Sequence, residues 1–284
     1  MEKFIVNYYG YEMTYYLQPG KWLSDSALSS LREELVRVNA KAGKDFDYGL
    51  FDSTRTPEDH KNFLKTANLC IIRDGGEAIG FFYNLIIQEK PKPVLHAGLV
   101  VIAKNRGHDL MGYAYSWLTV LQYKKYGSYY YTNISSTPSI VGVFSDSFSQ
   151  VWPNYKGNQL KPPSREYVNI LSLLEHNYIN KYFQRCTVNK KRFVLTSPSS
   201  EMGFETNMQK LSRYIKPEVN YFCMFWLDYT KGEDLIQVGQ VDLKAVMKIN
   251  LYYSFRKLVS LTKSFENRKP GISIDLDEIS QKAA

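Results

Sequence analysis

The sequence predicts an α/β protein with a sheet flanked by helices, and three observations carry that expectation. Leu69–Arg73 and Ala78–Tyr83 flank Asp74-Gly75-Gly76, the pattern of two antiparallel strands joined by a tight turn. Val94–Ile102 is a nearly all-apolar run, of the kind a strand covered on both faces requires. It leads through Lys104–Asp109 into Leu110–Tyr123, where Leu110, Tyr113, Ala114, Trp117, Leu118 and Leu121 make one helical stripe.

The other elements follow in chain order. Phe4–Leu17 holds two tyrosine-rich apolar runs around Gly10, which fits a hairpin or a bent strand. Ser24 or Asp25 can cap a helix carrying Leu28, Leu31, Leu35 and Val38, with Gly43 as its stop. Thr56 caps a second helix whose first residue is Pro57 and which carries Phe63 and Leu64 inward. Gly127 ends the helix after the apolar strand, and Ser128–Ile134 reads as a further strand. Thr137 and Pro138 then open a helix expected to run to about Trp152. Beyond it the pattern gives a helix over Arg165–Phe183 and a short strand over Arg192–Thr196. Val219–Tyr229 and Leu235–Val241 read as two strands around Lys231-Gly232, and Asp242 caps a long amphipathic helix to about Phe265. The expected organisation is a core over 1–157 and a C-terminal region, 158–284, that completes the sheet.

Composition sets the class. With 44% apolar and 23% charged residues over 284 positions, the chain can bury a sizeable core and is not of the disordered type. Its uninterrupted apolar stretches, such as Ala97–Ala103, are far below the roughly 18–20 residues that a membrane-spanning helix needs. Met1-Glu2-Lys3-Phe4 lacks the zones of a secretory signal, so the expected location is the cytoplasm. Cys70, Cys186 and Cys223 are odd in number and far apart, which speaks against a disulfide framework or a zinc site. Residues 1–150 hold 16 Lys and Arg against 15 Asp and Glu, whereas residues 151–284 hold 20 against 13. The basic excess therefore belongs to the second half and suits an anionic partner as well as it suits plain solvation.

The junction of the apolar strand with its helix is the first candidate for chemistry. Backbone amides around Gly107 are left free by the first helical turn and can hold an anion, with Arg106 and the helix dipole acting in the same sense. Leu99 to Gly107 resembles the fourth strand and following turn of the Gcn5-related N-acetyltransferase superfamily, whose signature is Gln or Arg, two residues, Gly, one residue, then Gly or Ala. The resemblance covers about residues 69–150 and implies a mixed, mostly antiparallel, twisted sheet flanked by helices, here with a C-terminal extension. It further implies that coenzyme A phosphates bind at Arg106, Gly107, His108, Asp109, Leu110, Met111 and Gly112. Leu99, Val100 and Val101 would hydrogen-bond the pantetheine arm, on a strand that splays from the next. If Arg106 opens the signature, Asp109 and Met111 occupy its two small-residue positions; if Lys104 opens it, Gly107 fits and Asp109 replaces the last, and in either case the Asp109 side chain can turn to cap the helix beginning at Leu110.

An amine attacking a thioester must lose a proton. The candidates for a base are His96 on the central strand and Glu89 at the end of the preceding one. Many relatives in the superfamily place a tyrosine on the helix after the fifth strand to protonate the departing thiolate. That helix has none here, so Tyr130 or Tyr131 on the strand, or Tyr155, would substitute. Asn133 is placed to bond a pantetheine amide or an acceptor. His60, His96, His108 and His176 show no metal spacing, and there is no P-loop lysine and no G-x-S-x-G elbow. The expected activity is transfer of an acyl group to an amine acceptor, small molecule or peptide, from an acyl-CoA such as acetyl-CoA or from acyl-phosphopantetheine on an acidic carrier protein, with no metal. The alternative is a non-catalytic relative or a basic module for a protein partner or nucleic acid, the last disfavoured because Tyr129–Tyr131 and Tyr252-Tyr253 suit a core better than base stacking.

Overall fold

The computed structural model describes residues 2–42, 51, 54–103, 108–157, 161–183, 185–196 and 207–252, the side chains of His108 and Asp109 excepted. A sheet of ten strands runs through it, with helices on both faces. The strands are β1 (Lys3–Tyr8), β2 (Tyr11–Leu17), β3 (Ala67–Asp74), β4 (Glu77–Gln88), β5 (Val94–Ile102), β6 (Tyr129–Ser135), β7 (Ser149–Trp152), β8 (Thr187–Asn189), β9 (Val194–Thr196) and β10 (Glu233–Val241). Their order is β1-β2-β3-β4-β5-β6-β10-β9-β8, with β7 also paired to β10. Among the described residues β5 and β6 make the single parallel pair; every other pairing is antiparallel. The sheet is thus mixed and mostly antiparallel, as expected. β10, from the C-terminal region, pairs with β6 along its whole length, Val241↔Tyr129 to Leu235↔Ser135.

Helices α1 (Asp25–Lys41), α2 (Pro57–Lys65) and α5 (Arg165–Leu174) cover one face. Leu35 of α1 and Leu171 of α5 are fully buried there against Phe81 and Leu69 of the sheet. Ser24 caps α1 by accepting from the Ala27 amide, and Thr56 closes a capping box with Asp59, so both expected caps form. α5 continues through a π-turn, Glu175–Ile179, to Tyr182, and Tyr178 and Ile179 seal the same face.

The opposite face is covered by α3 (His108–Tyr126) and α4 (Pro138–Ser147), joined by α6 (Pro217–Trp226) and α7, which is described over 243–252. Leu110, Ala114, Leu118 and Leu121 of α3 pack on Tyr15, Cys70 and Phe82, while Phe144 of α4 and Val246 of α7 pack beside Tyr131. Asp242 caps α7 as expected, accepting from the Ala245 amide at 2.8 Å.

Three expectations are corrected. Val219–Tyr229 is not a strand. Pro217 opens a helix there, and Val219, Phe222 and Cys223, spaced three and four apart, bury against Val141, Val194 and Leu235. The helix from Pro138 ends at Ser147, because Ser149–Trp152 is drawn onto the free edge of β10 as β7. Thr137 holds the N-cap position without a side-chain cap bond; its own amide donates to Ser135 Oγ instead.

Candidate active site: the cleft between β5 and β6

The parallel pairing of β5 with β6 is short. Val94 faces Tyr130, Leu95 faces Tyr131 and His96 faces Thr132, and there the ladder stops although both strands continue. Two causes are visible. On one side β6 is paired along its full length with β10. On the other, β5 carries one extra residue relative to β4: Asn84 pairs with Ala97 and Phe82 with Val100, so two steps on β4 span three on β5. Gly98 lies in this bulge, where a Cβ would stand 2.8 Å from the Tyr83 carbonyl oxygen and closer still to the Tyr83 ring. Only glycine fits that approach.

Beyond the bulge β5 is no longer a sealed central strand. Val100 is 44% exposed, and Ala97, Gly98 and Ile102 are half-buried. The β5–β6 ladder is thus closed at Val94–His96 and unpaired from there towards Ile102 and Ser135, a V-like splay of the two strands.

The apex of the V is pinned from both faces. On the α5 face His96 Nδ1 lies 2.9 Å from Thr132 Oγ1, and the imidazole packs on Tyr178 with ring centroids 4.3 Å apart. Thr132 Oγ1 in turn reaches the Leu95 carbonyl at 3.3 Å, so we assign the proton to His96 Nδ1. On the α3 face the Tyr131 hydroxyl donates to Asn84 Oδ1 at 2.6 Å, and Asn84 Nδ2 and Tyr129 OH both donate to Gln122 Oε1. These bonds tie β4, β6 and α3 together, while Gln122 Nε2 itself has no partner.

The floor of the cleft on the α4 face holds Asn133 and Gln237, cross-strand neighbours on β6 and β10. Gln237 Nε2 donates to Ser145 Oγ and to the Pro153 carbonyl. Asn133 Nδ2 and Gln237 Oε1 are buried with no partner, a donor and an acceptor left over side by side. Buried polar atoms are nearly always satisfied, so these two have capacity for a water or a ligand group.

The sequence-derived candidates distribute unevenly about this V. Leu99, Val100 and Val101 lie on the part of β5 that has parted from β6, and Asn133 is the first residue of β6 beyond the apex. Leu110, Met111 and Gly112 lie in the first turns of α3, where Leu110 is buried and Met111 packs against the same core. His108 and Asp109 open that helix. Arg106 and Gly107, the proposed anion turn, lie outside the described residues.

The three expected proton carriers sit at or behind the closed end. Burial alone takes His96, 2% exposed, down to a pKa of about 3, so it is neutral at pH 7 and a weak base. Glu89 lies past the β4 end. It accepts from Gln18 Nε2 at 2.9 Å and pairs with Lys21 at 3.1 Å, and these bonds hold it below the usual carboxylate range. Tyr130 faces Val94 with the Lys92 ammonium 3.9 Å from its ring centre, and burial together with Glu166 pushes its hydroxyl up. Tyr131 is committed to Asn84, and Tyr155 donates to Asp146 at 2.7 Å. The structure therefore places Leu99, Val100, Val101 and Asn133 on the unpaired stretches of β5 and β6, and brings no expected base there.

Sequence reasoning missed Gly98, Tyr83, Thr132, Asn84, Tyr178 and Gln237. Gly98 alone left a signal, as an isolated glycine inside an apolar strand.

No group of His, Cys, Asp or Glu among the described residues could hold a metal ion, and no helix among them is long and apolar enough to cross a membrane. No family model matches the chain, and no curated protein matches it. Among solved structures it is similar to RimL, the ribosomal L7/L12 alpha-N-protein acetyltransferase in complex with coenzyme A, at 12% identity and a TM-score of 0.31, covering 45% of this chain and 74% of that one. The overlap is too loose to transfer a residue's role.

Proposed function

We propose that the chain is an acyltransferase that moves an acyl group from a pantetheine thioester to an amine, with the donor's arm lying in the V between β5 and β6. The observation that carries this reading is the early end of the β5–β6 ladder. Main-chain groups of Leu99, Val100 and Val101 on the β6 side are left to a ligand, and an amide-bearing pantetheine arm has the donors and acceptors to complete such an edge. Asn133 Nδ2 would meet a carbonyl of that arm. The turn at Arg106 and Gly107 and the first residues of α3, His108 to Gly112, would take the phosphate end, as in the Gcn5-related N-acetyltransferases that this segment resembles.

In the reaction the amine lone pair attacks the thioester carbonyl carbon. The C–N bond forms, the C–S bond breaks as the tetrahedral intermediate collapses, the nitrogen gives up a proton and the departing thiolate takes one up. His96, held neutral against Thr132, serves as a positioning residue that keeps the apex closed. Water admitted by the open cleft carries the proton, since Glu89 and Tyr130 are engaged at the far end. The donor is acyl-CoA or a carrier-borne acyl-phosphopantetheine. The basic excess of residues 151–284 favours an acidic carrier for docking, and it predicts that a carrier-dependent rate falls with salt. Titration calorimetry with coenzyme A, acetyl-CoA and longer acyl-CoAs, followed by thiol release from acyl-CoA and acyl carrier protein in the presence of mixed amines, tests the proposal. Saturable binding of at least one donor supports it. Failure of every donor to bind overturns it.

A further inference from the structure

Asp146, at the end of α4, gathers partners from three other parts of the chain. Its carboxylate accepts from Lys216 Nζ at 2.7 Å, Tyr155 OH at 2.7 Å and Tyr214 OH at 2.9 Å, pairs with Lys156 at 3.0 Å, and its main-chain carbonyl accepts from Lys248. Burial would raise the carboxyl, but the hydrogen bonds from Lys216, Tyr155, Lys156 and Tyr214 overcome it and hold the group well below the usual carboxylate range. One carboxylate faces three ammonium groups, so the corner keeps a net positive charge. Tyr214, laid over Gly142, ties the segment before α6 down onto α4.

From this fixed corner apolar side chains project outward. Ile215, beside Lys216, is 90% exposed, and Phe225 on the outer face of α6 is 91% exposed, with Tyr221 and Met224 beside it. α6 is already anchored by Val219, Phe222 and Cys223 on its inner face, so the outer residues are not needed to hold it. On α7, Leu243 and Met247 likewise face out, next to Lys244 and Lys248. An apolar side chain with nine-tenths of its surface exposed is a knob rather than the wall of a groove. Knobs beside lysines suit a medium that deforms around them and carries negative charge.

We infer that the α6 face, with Ile215, Tyr221, Met224 and Phe225 as its apolar contacts and the Lys156–Lys216–Lys248 corner as its cationic one, rests on an anionic lipid bilayer. Glu218 lies on the same face, but the surrounding charge is dominated by lysine. A second copy of the chain is disfavoured as occupant because it would bring two cationic corners together. An acidic protein would satisfy the charge but would need sockets matched to knobs that point singly into solvent.

The experiment is sedimentation of the full chain with vesicles of phosphatidylcholine alone and of phosphatidylcholine with phosphatidylglycerol, at low and at 0.5 M salt (~0.5 M, well past the screening range). Binding to the phosphatidylglycerol vesicles, lost at high salt and weakened about tenfold or more in the Ile215→Ser/Phe225→Ser double variant at unchanged melting temperature, is expected. No binding to anionic vesicles, or binding that the double variant leaves intact, overturns the inference. A dimer in the wild type that the double variant converts to monomer also overturns it and assigns the face to a second copy. The outcome is independent of whether a pantetheine donor binds.

Discussion

Gly98→Ala strikes the feature that opens the cleft. The added methyl would stand 2.8 Å from the Tyr83 carbonyl oxygen, with the Tyr83 ring nearer still. The ring cannot swing away, because Tyr83 is buried and meets Phe63 edge-on at 5.4 Å. The carbonyl belongs to β4, so relief requires a shift of backbone at the bulge. Overpacking of this kind costs about 1–3 kcal/mol. Urea unfolding at pH 7 should show that loss, and calorimetry should show donor affinity falling about tenfold as the free edge of β5 is moved out of line, since each 1.4 kcal/mol is about a factor of ten. Gly127→Ala is the control. Gly127 has φ +69 and nothing near its missing Cβ, so it loses about 1–2 kcal/mol through the left-handed backbone alone, at the far end of α3. It should leave donor affinity unchanged. A Gly98→Ala protein as stable as the wild type and equally able to bind its donor would refute the account of the bulge, as would an equal loss of affinity in Gly127→Ala.

The remaining predictions concern the apex, the floor and the charged corner. His96 titrates near 6.5 when unfolded but only at about 3 in the fold. Above pH 6.5 both states are neutral, while below it only the unfolded chain takes the proton, so stability should fall by about 1.4 kcal/mol per pH unit between pH 6.5 and 5, before carboxylates titrate. His96→Gln should remove that slope in urea titrations, and a slope that persists in the variant would show that His96 is not its source. Asn133→Ala deletes a buried amide whose nitrogen has no protein partner, so unfolding should be nearly unchanged while donor affinity drops about tenfold. A loss of stability with unchanged affinity would reverse that assignment. Asp146→Asn leaves Lys156 and Lys216 without their counter-charge. Because both lysines are about half exposed, the cost read in urea should be about 2 kcal/mol, less than for a fully buried pair.

What the sequence disclosed, and what it hid, divides along local and distant causes. The β3–β4 hairpin, the strand β5, the stripe of α3 and the caps at Ser24 and Thr56 are encoded within a few residues and form as expected, although β5 is buried on both faces only over Val94–His96. α6 was misleading because Tyr221 to Trp226 is aromatic and apolar on both sides, a composition that fits a strand, whereas Pro217 and the burial of Val219, Phe222 and Cys223 make it a helix. β7 could not be separated from the end of α4 without knowing that β10, nearly ninety residues later, offers it an edge. The cleft has the same origin. The unpaired stretches were foreseeable at Leu99, Val100, Val101 and Asn133, but the pairing of β6 with β10 and the exclusion of a side chain at residue 98 by Tyr83 depend on distant residues. His96 looked like a base because a histidine on a central strand titrates near neutrality unless it is buried, and burial is a property of the fold. Asp146, with partners at 155, 156, 214, 216 and 248, left no local pattern at all.

Hydrogen exchange resolved to single amides, with and without saturating coenzyme A, reads the free edge of β5 directly. Amides of β5 that face β6 beyond His96 should exchange quickly in the free protein and slowly with the donor bound, while those at Val94 to His96 stay slow in both. Slow exchange along all of β5 without ligand, or fast exchange that coenzyme A and its acyl esters leave untouched, would mean that no pantetheine lies between these strands.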